Sequence, residues 1–203
     1  GLLMHTHPGT VYIYQGEEIG MINVDFPSIE YYNEKYTVGK YETMVESGVD
    51  PVTALNSLKH TSRDNDRTPM QWDDSENGGF TTGKPCMHSN PNYVDINVAS
   101  EEKREYSVLR FYRTLTAMRK EHPVMVYGDY RQMLEEDEDL IVYLRQYENE
   151  TWLVICNFYG KERSMPKKVQ DILEREHGTL LLGNYTDTEE KKEQIRPYEA
   201  RIY

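Results

Sequence analysis

Two periodicities divide the sequence. Up to about residue 123 the apolar positions recur at helical spacing or sit in short isolated runs; after about Val124 they fall into brief β-type segments separated by acidic turns. The clearest helical stretch puts Val108, Phe111, Tyr112, Leu115 and Met118 on one stripe. Ser100 stands as its cap, Glu101 and Glu102 occupy the first turn, and Arg119 and Lys120 the last. Pro123 should end it. Downstream, residues 130–134, 140–147, 151–158, 179–182 and 200–203 read as strands, 135–139 and 148–150 as acidic turns, and 168–175 as a short helix. That succession predicts a small antiparallel sandwich.

Upstream, Gly1-Leu2-Leu3-Met4 reads as the end of an apolar helix, and Pro8-Gly9 breaks it. Thr10-Val11-Tyr12-Ile13-Tyr14 then strings together five β-branched or aromatic residues, which predicts a short strand buried on both faces inside a parallel sheet. Gln15-Gly16-Glu17-Glu18 follows at its carboxyl end, where α/β barrels build their active sites. One strand cannot close a barrel and no βαβ repeat accompanies it, so a piece of a longer protein is expected. Alone, the first 20 residues should leave that strand with both faces and both edges uncovered. A helix is predicted over 40–47, stopped by Gly48, and a second from Asp50 as cap, with Pro51 at the first position, to about Lys59. Residues 73–99 are rich in Gly, Asn, Pro and Thr and form a long loop whose aromatics, Trp72, Phe80 and Tyr93, argue for order.

The formal net charge of the 203-residue chain is −12, from 35 acidic and 23 basic residues, which repels phosphate backbones and anionic membranes. Nucleic acid and membrane are therefore not expected as partners. Of the aromatics, 17 are Tyr, a composition that suits sugar binding and a tyrosine-rich β-sheet equally well. Cys86 and Cys156 match no metal or redox spacing, and neither a long apolar run nor a basic leader is visible, so a cytoplasmic protein is expected. The six histidines show no ligand spacing, and no metal site or cofactor is expected.

The densest chemistry lies in Ser62-Arg63-Asp64-Asn65-Asp66-Arg67-Thr68-Pro69-Met70-Gln71-Trp72. Arg67 offers a planar fork of donors suited to a carboxylate or to two adjacent sugar hydroxyls, with Asp64 and Asp66 able to orient it. Spacing leaves a second reading equally open, in which Arg63, Asp64 and Arg67 form a salt-bridge network that stitches the loop down. Glu17 and Glu18 likewise admit two readings: one carboxylate facing a pocket, or both bonded to neighbouring loop backbone.

Gly9-Thr10-Val11-Tyr12-Ile13-Tyr14-Gln15-Gly16-Glu17-Glu18-Ile19-Gly20-Met21, the run from Ser62 to Trp72, Gly79-Phe80-Thr81-Thr82-Gly83 and Asn90-Pro91-Asn92-Tyr93, in that order, closely resemble the oligo-1,6-glucosidase and α-glucosidase branch of the α-amylase family. Arg196-Pro197-Tyr198-Glu199-Ala200 looks like the end of the same proteins, so the resemblance spans nearly the whole chain. It implies an α/β plus all-β architecture: the end of a (β/α)8 barrel (last strand, long loop, last helix) over 1–123, then a C-terminal antiparallel β-sandwich over 124–203. It implies a retaining glycoside hydrolase that releases terminal α-linked glucose, α-1,6 in particular, from short α-glucoside oligosaccharides. The family's nucleophilic aspartate, acid/base glutamate and stabilising aspartate lie on earlier strands, expected upstream of Gly1. The chain alone is therefore expected to be inactive and to need the missing N-terminal barrel portion.

Within that resemblance Arg67 is similar to the arginine that hydrogen-bonds the non-reducing glucose at the closed end of the pocket, with Glu17, Glu18 and Asp64 as candidate pocket lining. Tyr36 stands about where many relatives carry a glutamate near the aglycone, and Cys86 where a tryptophan is usual, so acceptor specificity is expected to differ. Trehalose-6-phosphate hydrolase and sucrose isomerase are the alternatives inside the family. A non-catalytic β-sandwich structural or carbohydrate-binding module is the alternative of another class.

Overall fold

The computed structural model describes residues 1–186 and 191–203. In chain order the helices are α1 (Leu2–Thr6), α2 (Lys35–Glu46), α3 (Pro51–Leu58), α4 (Val98–Lys103), α5 (Val108–Glu121), α6 (Pro123–Tyr127) and α7 (Lys167–Arg175). The strands are β1 (Asp129–Met133), β2 (Leu140–Tyr147), β3 (Glu150–Asn157), β4 (Arg163–Ser164), β5 (Leu182–Gly183), β6 (Gln194–Ile195) and β7 (Ala200–Ile202). Packing groups them into two units: a sheet unit of Gly1–Tyr12 with Phe111–Tyr203, and a loop unit of Ile13–Arg110.

In the sheet unit five strands run in the order β1-β2-β3-β7-β5, every neighbouring pair antiparallel, and β4 pairs separately with β6. The longest pairing sets Leu140 opposite Asn157 and Tyr147 opposite Glu150. Both faces of the large sheet are covered. Met133, Val142, Leu153 and Ile155 pack with Val169 and Leu173 of α7 and with Ile195 of the small ribbon. On the other face Tyr143, Trp152, Val154, Cys156 and Ile202 pack with Leu2, Leu115, Val124 and Met125 from the helices. This explains why β3 carries apolar residues at consecutive positions and is buried from Trp152 to Asn157.

Two arginines in this unit gather carbonyl oxygens around the ends of α1 and α6. Arg145, fully buried, donates to Thr6 and, at 3.2 and 2.8 Å, to Met125 and Gly128. Arg119 donates to His5, Gly9 and Met125. The carbonyls at and just beyond the carboxyl end of α1, which a five-residue helix cannot satisfy internally, thus meet guanidinium donors. A second buried cluster closes the chain: Glu199 accepts from Arg196 and Arg201, and Arg201 also donates to the Lys191 and Gln194 carbonyls.

Several sequence expectations need correction. Residues 10–14 form no strand, and Tyr12, Ile13 and Tyr14 are exposed, because β propensity expresses ladder bonds and packing that this segment does not receive among the described residues. The single helix from Ser100 to Pro123 is two, α4 and α5, separated at Arg104, whose backbone is extended. Asn97, not Ser100, caps α4 by accepting from the Ser100 amide at 2.7 Å. Buried Glu101 bridges the break, accepting from Arg104 at 2.7 Å and from the Leu109 amide at 3.4 Å. Val108, expected on the buried stripe, is exposed, while Leu109 is buried with Ile19 and Met70. Helix α2 begins at Lys35 rather than near residue 40, and the capping of α3 by Asp50 with Pro51 is as expected.

In the loop unit Val24, Phe26, Tyr32 and Leu55 form a small core. Trp72 and Phe80 do not order the long loop, since each is about half exposed, at 50% and 51%. Gln71 does so instead. Its buried amide donates to Asn92 and to the Ile96 carbonyl, and the backbone beside it pairs with Gly78, Val98 and Ala99.

Candidate functional site

The site is built on two turns of the loop unit. Around residues 14–19 the chain reverses at Gly16, whose φ of 91° favours glycine. A 3-10 turn follows, Glu17–Ile19, pinned by the buried Ile19. The Glu17 carboxylate accepts from the Tyr14 amide at 3.2 Å, and that of Glu18 from the Gly16 amide at 2.8 Å. Both acids thus bond backbone amides of their own turn and not those of a neighbouring loop.

The other turn, Arg63–Asp66, is the heart of the dense motif. Ser62 caps it by accepting from the Asp64 amide at 3.3 Å. Asp64 has no exposure; one of its oxygens accepts from the amides of Asn33 and Glu34 at 2.6 and 2.8 Å, while the other, Oδ1, has no hydrogen bond and lies 3.8 Å from Nη1 of Arg67. Glu34 returns the connection by accepting from the Arg63 amide at 3.0 Å; hydrogen bonds from the Thr37 hydroxyl and then from that amide hold its carboxyl below the usual range. Asn65 accepts from the Val24 amide at 3.1 Å and donates to the Lys59 carbonyl at 2.9 Å.

The Tyr14 hydroxyl donates to the Asp66 carbonyl at 2.9 Å and so joins the two turns. Between them opens a cavity of about 310 Å³, lined by Tyr14, Glu17, Asn23, Asn65, Asp66 and Thr68 among others. Of the acids expected to line a pocket, Glu17 reaches its wall, whereas Glu18 and Asp64 do not. Arg67 lies between two lining residues, Asp66 and Thr68; its side chain is half exposed, and among the described residues its one polar contact is Asp64. Of the expected network the structure keeps the Asp64–Arg67 pair, while Arg63 pairs with Glu34 at 3.6 Å instead of Asp64, and the Arg67 side chain stays half exposed. Among the described residues no group of three or more His, Cys, Asp or Glu is placed to hold a metal ion, and no helix is long and apolar enough to cross a membrane.

Residues 1–128 match the family described as alpha amylase, catalytic domain. The chain belongs to the α-amylase family. It is 44% identical, over 99% of its length, to the oligo-1,6-glucosidase of Halalkalibacterium halodurans, of which it covers 36%. Among solved structures it is similar to the trehalose-6-phosphate hydrolase of Bacillus licheniformis, with a TM-score of 0.89 and 38% identity over the whole chain and 37% of that protein. It is also similar to the isomaltulose synthase of Klebsiella sp. LX3, with a TM-score of 0.85 and 33% identity over the whole chain and 36% of that protein. The chain thus spans about a third of the length of the relatives it matches, in a glycoside hydrolase family.

Sequence reasoning missed Tyr14, Asn23 and Asn65 at this site of the α-amylase family chain. Tyr14 was assigned to a strand, and Asn65 works through Val24 and Lys59, contacts that no local pattern announces. The one available signal was the crowding of Asn65 between two aspartates in the motif.

Proposed function

We propose that this chain is the C-terminal portion of a retaining α-glucosidase that hydrolyses terminal α-linked glucose, α-1,6 in particular, from short oligosaccharides. The catalytic carboxylates lie on the part of the enzyme that precedes Gly1. Residues 1–123 close a (β/α)8 barrel and 124–203 form its C-terminal β-domain, a division supported by the family match ending at residue 128. The oligo-1,6-glucosidase name of the relative at 44% identity supports the linkage. A cytoplasmic setting is supported by both cysteines being free thiols.

The observation that carries the reading is Arg67. Its guanidinium is backed by a buried carboxylate and half exposed with donors to spare, and its chain neighbours Asp66 and Thr68 line a cavity whose wall Arg67 itself does not form. Such a fork binds two vicinal hydroxyls of a terminal glucose and closes the pocket behind them, which favours exo cleavage. In the full-length enzyme Arg67→Lys should lower kcat/KM on isomaltose about tenfold or more, because lysine keeps the charge and loses the planar fork. Near-normal turnover by that variant would overturn the assignment.

A further inference from the structure

We infer that Asp64 is a positioning residue that acts on the sugar through Arg67, tying the guanidinium to the start of helix α2. The inference rests on the sugar-binding role of Arg67 proposed above and deepens it. The Asp64 side chain is completely buried, yet only one of its two oxygens is engaged by hydrogen bonds. That oxygen takes the amides of Asn33 and Glu34, which fixes the plane of the carboxylate from outside its own turn. The second oxygen is left facing Arg67 at 3.8 Å, and no other described side chain or backbone group bonds it.

A buried carboxylate with an idle oxygen is costly unless a cation stands beside it, so the pair stabilises one arrangement of an otherwise half-exposed, flexible arginine. Glu34 closes the loop in the opposite direction through the Arg63 amide and, at 3.4 Å, the Ser62 hydroxyl. Two carboxylates, one on each segment, thus bond the backbone of the other. The start of α2 and the Arg63–Asp66 turn are held as one body, and the last member of that body is the guanidinium. Holding the fork in place before sugar arrives removes the ordering cost from binding and transition-state capture.

A double-mutant cycle in the full-length enzyme tests this, with kcat and KM on p-nitrophenyl α-glucoside for Asp64→Asn, Arg67→Ala and the combination. Asp64→Asn should lower kcat/KM by about tenfold to a hundredfold, the size of a lost charged contact. In the Arg67→Ala background the same change should cost no more than about twofold, because its only route to the sugar is gone. Equal losses in both backgrounds would make Asp64 merely structural and overturn the inference while leaving Arg67 as the sugar ligand. An Arg67→Ala enzyme of normal activity would instead overturn the sugar-binding reading, and this one with it. Should Asp64→Asn not accumulate as folded protein, Asp64→Glu, which keeps the charge and moves it by one methylene, enters the same cycle with the same criteria.

Discussion

In the sheet unit the ladders of the five-stranded sheet satisfy much of the strand backbone, and the buried arginines and Glu199 gather in charged clusters, Arg145 among carbonyls and Arg201 with Glu199, beside the buried polar His5, Thr6 and Asn157. In the loop unit strands are absent among the described residues, and the buried polar side chains are Thr37, Ser62, Thr68, Asp64, Gln71, Asn90, Asn97 and Glu101, the last five each bonded to backbone. Every buried N–H and C=O needs a partner. Where a ladder supplies it, side chains are released to pin charges and fill the core; where none does, short amides and carboxylates take the ladder's place. The loop unit is therefore ordered residue by residue.

The largest effect should come from the charged cluster of the sheet unit. Glu199→Gln leaves Arg201, 1% exposed, without its carboxylate and should cost about 3–5 kcal/mol, read from urea unfolding. The same residue sets an acid limit. Burial alone would raise the Glu199 carboxyl, but hydrogen bonds from Arg196 and Arg201 outweigh it and bring it down to about 2. A depressed folded pKa contributes stability that is full above the unfolded value, about 4.3, and is lost as pH falls toward about 2. Stability of the parent protein should therefore fall across that window, and Glu199→Gln should flatten this part of the profile. An unchanged profile would show that the cluster is not held together by charge.

An intermediate effect belongs to Gln71, which does in the loop unit what a ladder does in the sheet. Gln71→Ala strands the Ile96 carbonyl and Asn92 and should cost about 2–3 kcal/mol. Hydrogen exchange locates the loss. The Val98 and Ala99 amides, which bond the Gln71 and Trp72 carbonyls, should lose protection, while those of Leu153 and Tyr203 in the sheet keep theirs. Equal loss in both places would make the chain one cooperative fold and dissolve the contrast between its units.

The same contrast marks what the sequence made legible. The β2 and β3 strands were readable because the apolar runs 140–144 and 152–156, set on either side of an acidic turn, have few other solutions, and α3 because Asp50-Pro51 is a local signal. The two-residue strands β4 and β6 were invisible, since their pairing depends on partners about 30 residues apart and not on pattern. Residues 10–14 carried a strand signal with no ladder to realise it. At the site Arg67 was legible as a donor fork in a dense motif, and Asp64 as a residue able to orient it, but not what holds Asp64 in turn. Asp64 reaches Asn33 and Glu34, some 30 positions earlier, and Tyr14 reaches Asp66 across 52. Nothing local distinguishes an aspartate that will be buried against distant amides from one that faces solvent.

The smallest effect separates the two things a loop-unit amide does at once. Asn97 caps α4 through its oxygen, at 2.7 Å from the Ser100 amide, and staples the loop through its nitrogen, 2.8 Å from the Tyr93 carbonyl. Asn97→Ala removes both and should cost about 1–2 kcal/mol, the upper part of the range for a lost cap. Asn97→Asp keeps the capping oxygen, adds a charge that favours a helix amino end, and loses only the donor to Tyr93. If ladder-like satisfaction of backbone is what orders this unit, the aspartate should recover less than half of the loss, because the Tyr93 carbonyl now faces a carboxylate. Full recovery would mean that the cap alone matters, and that the loop holds its shape without the side-chain bonds credited with ordering it.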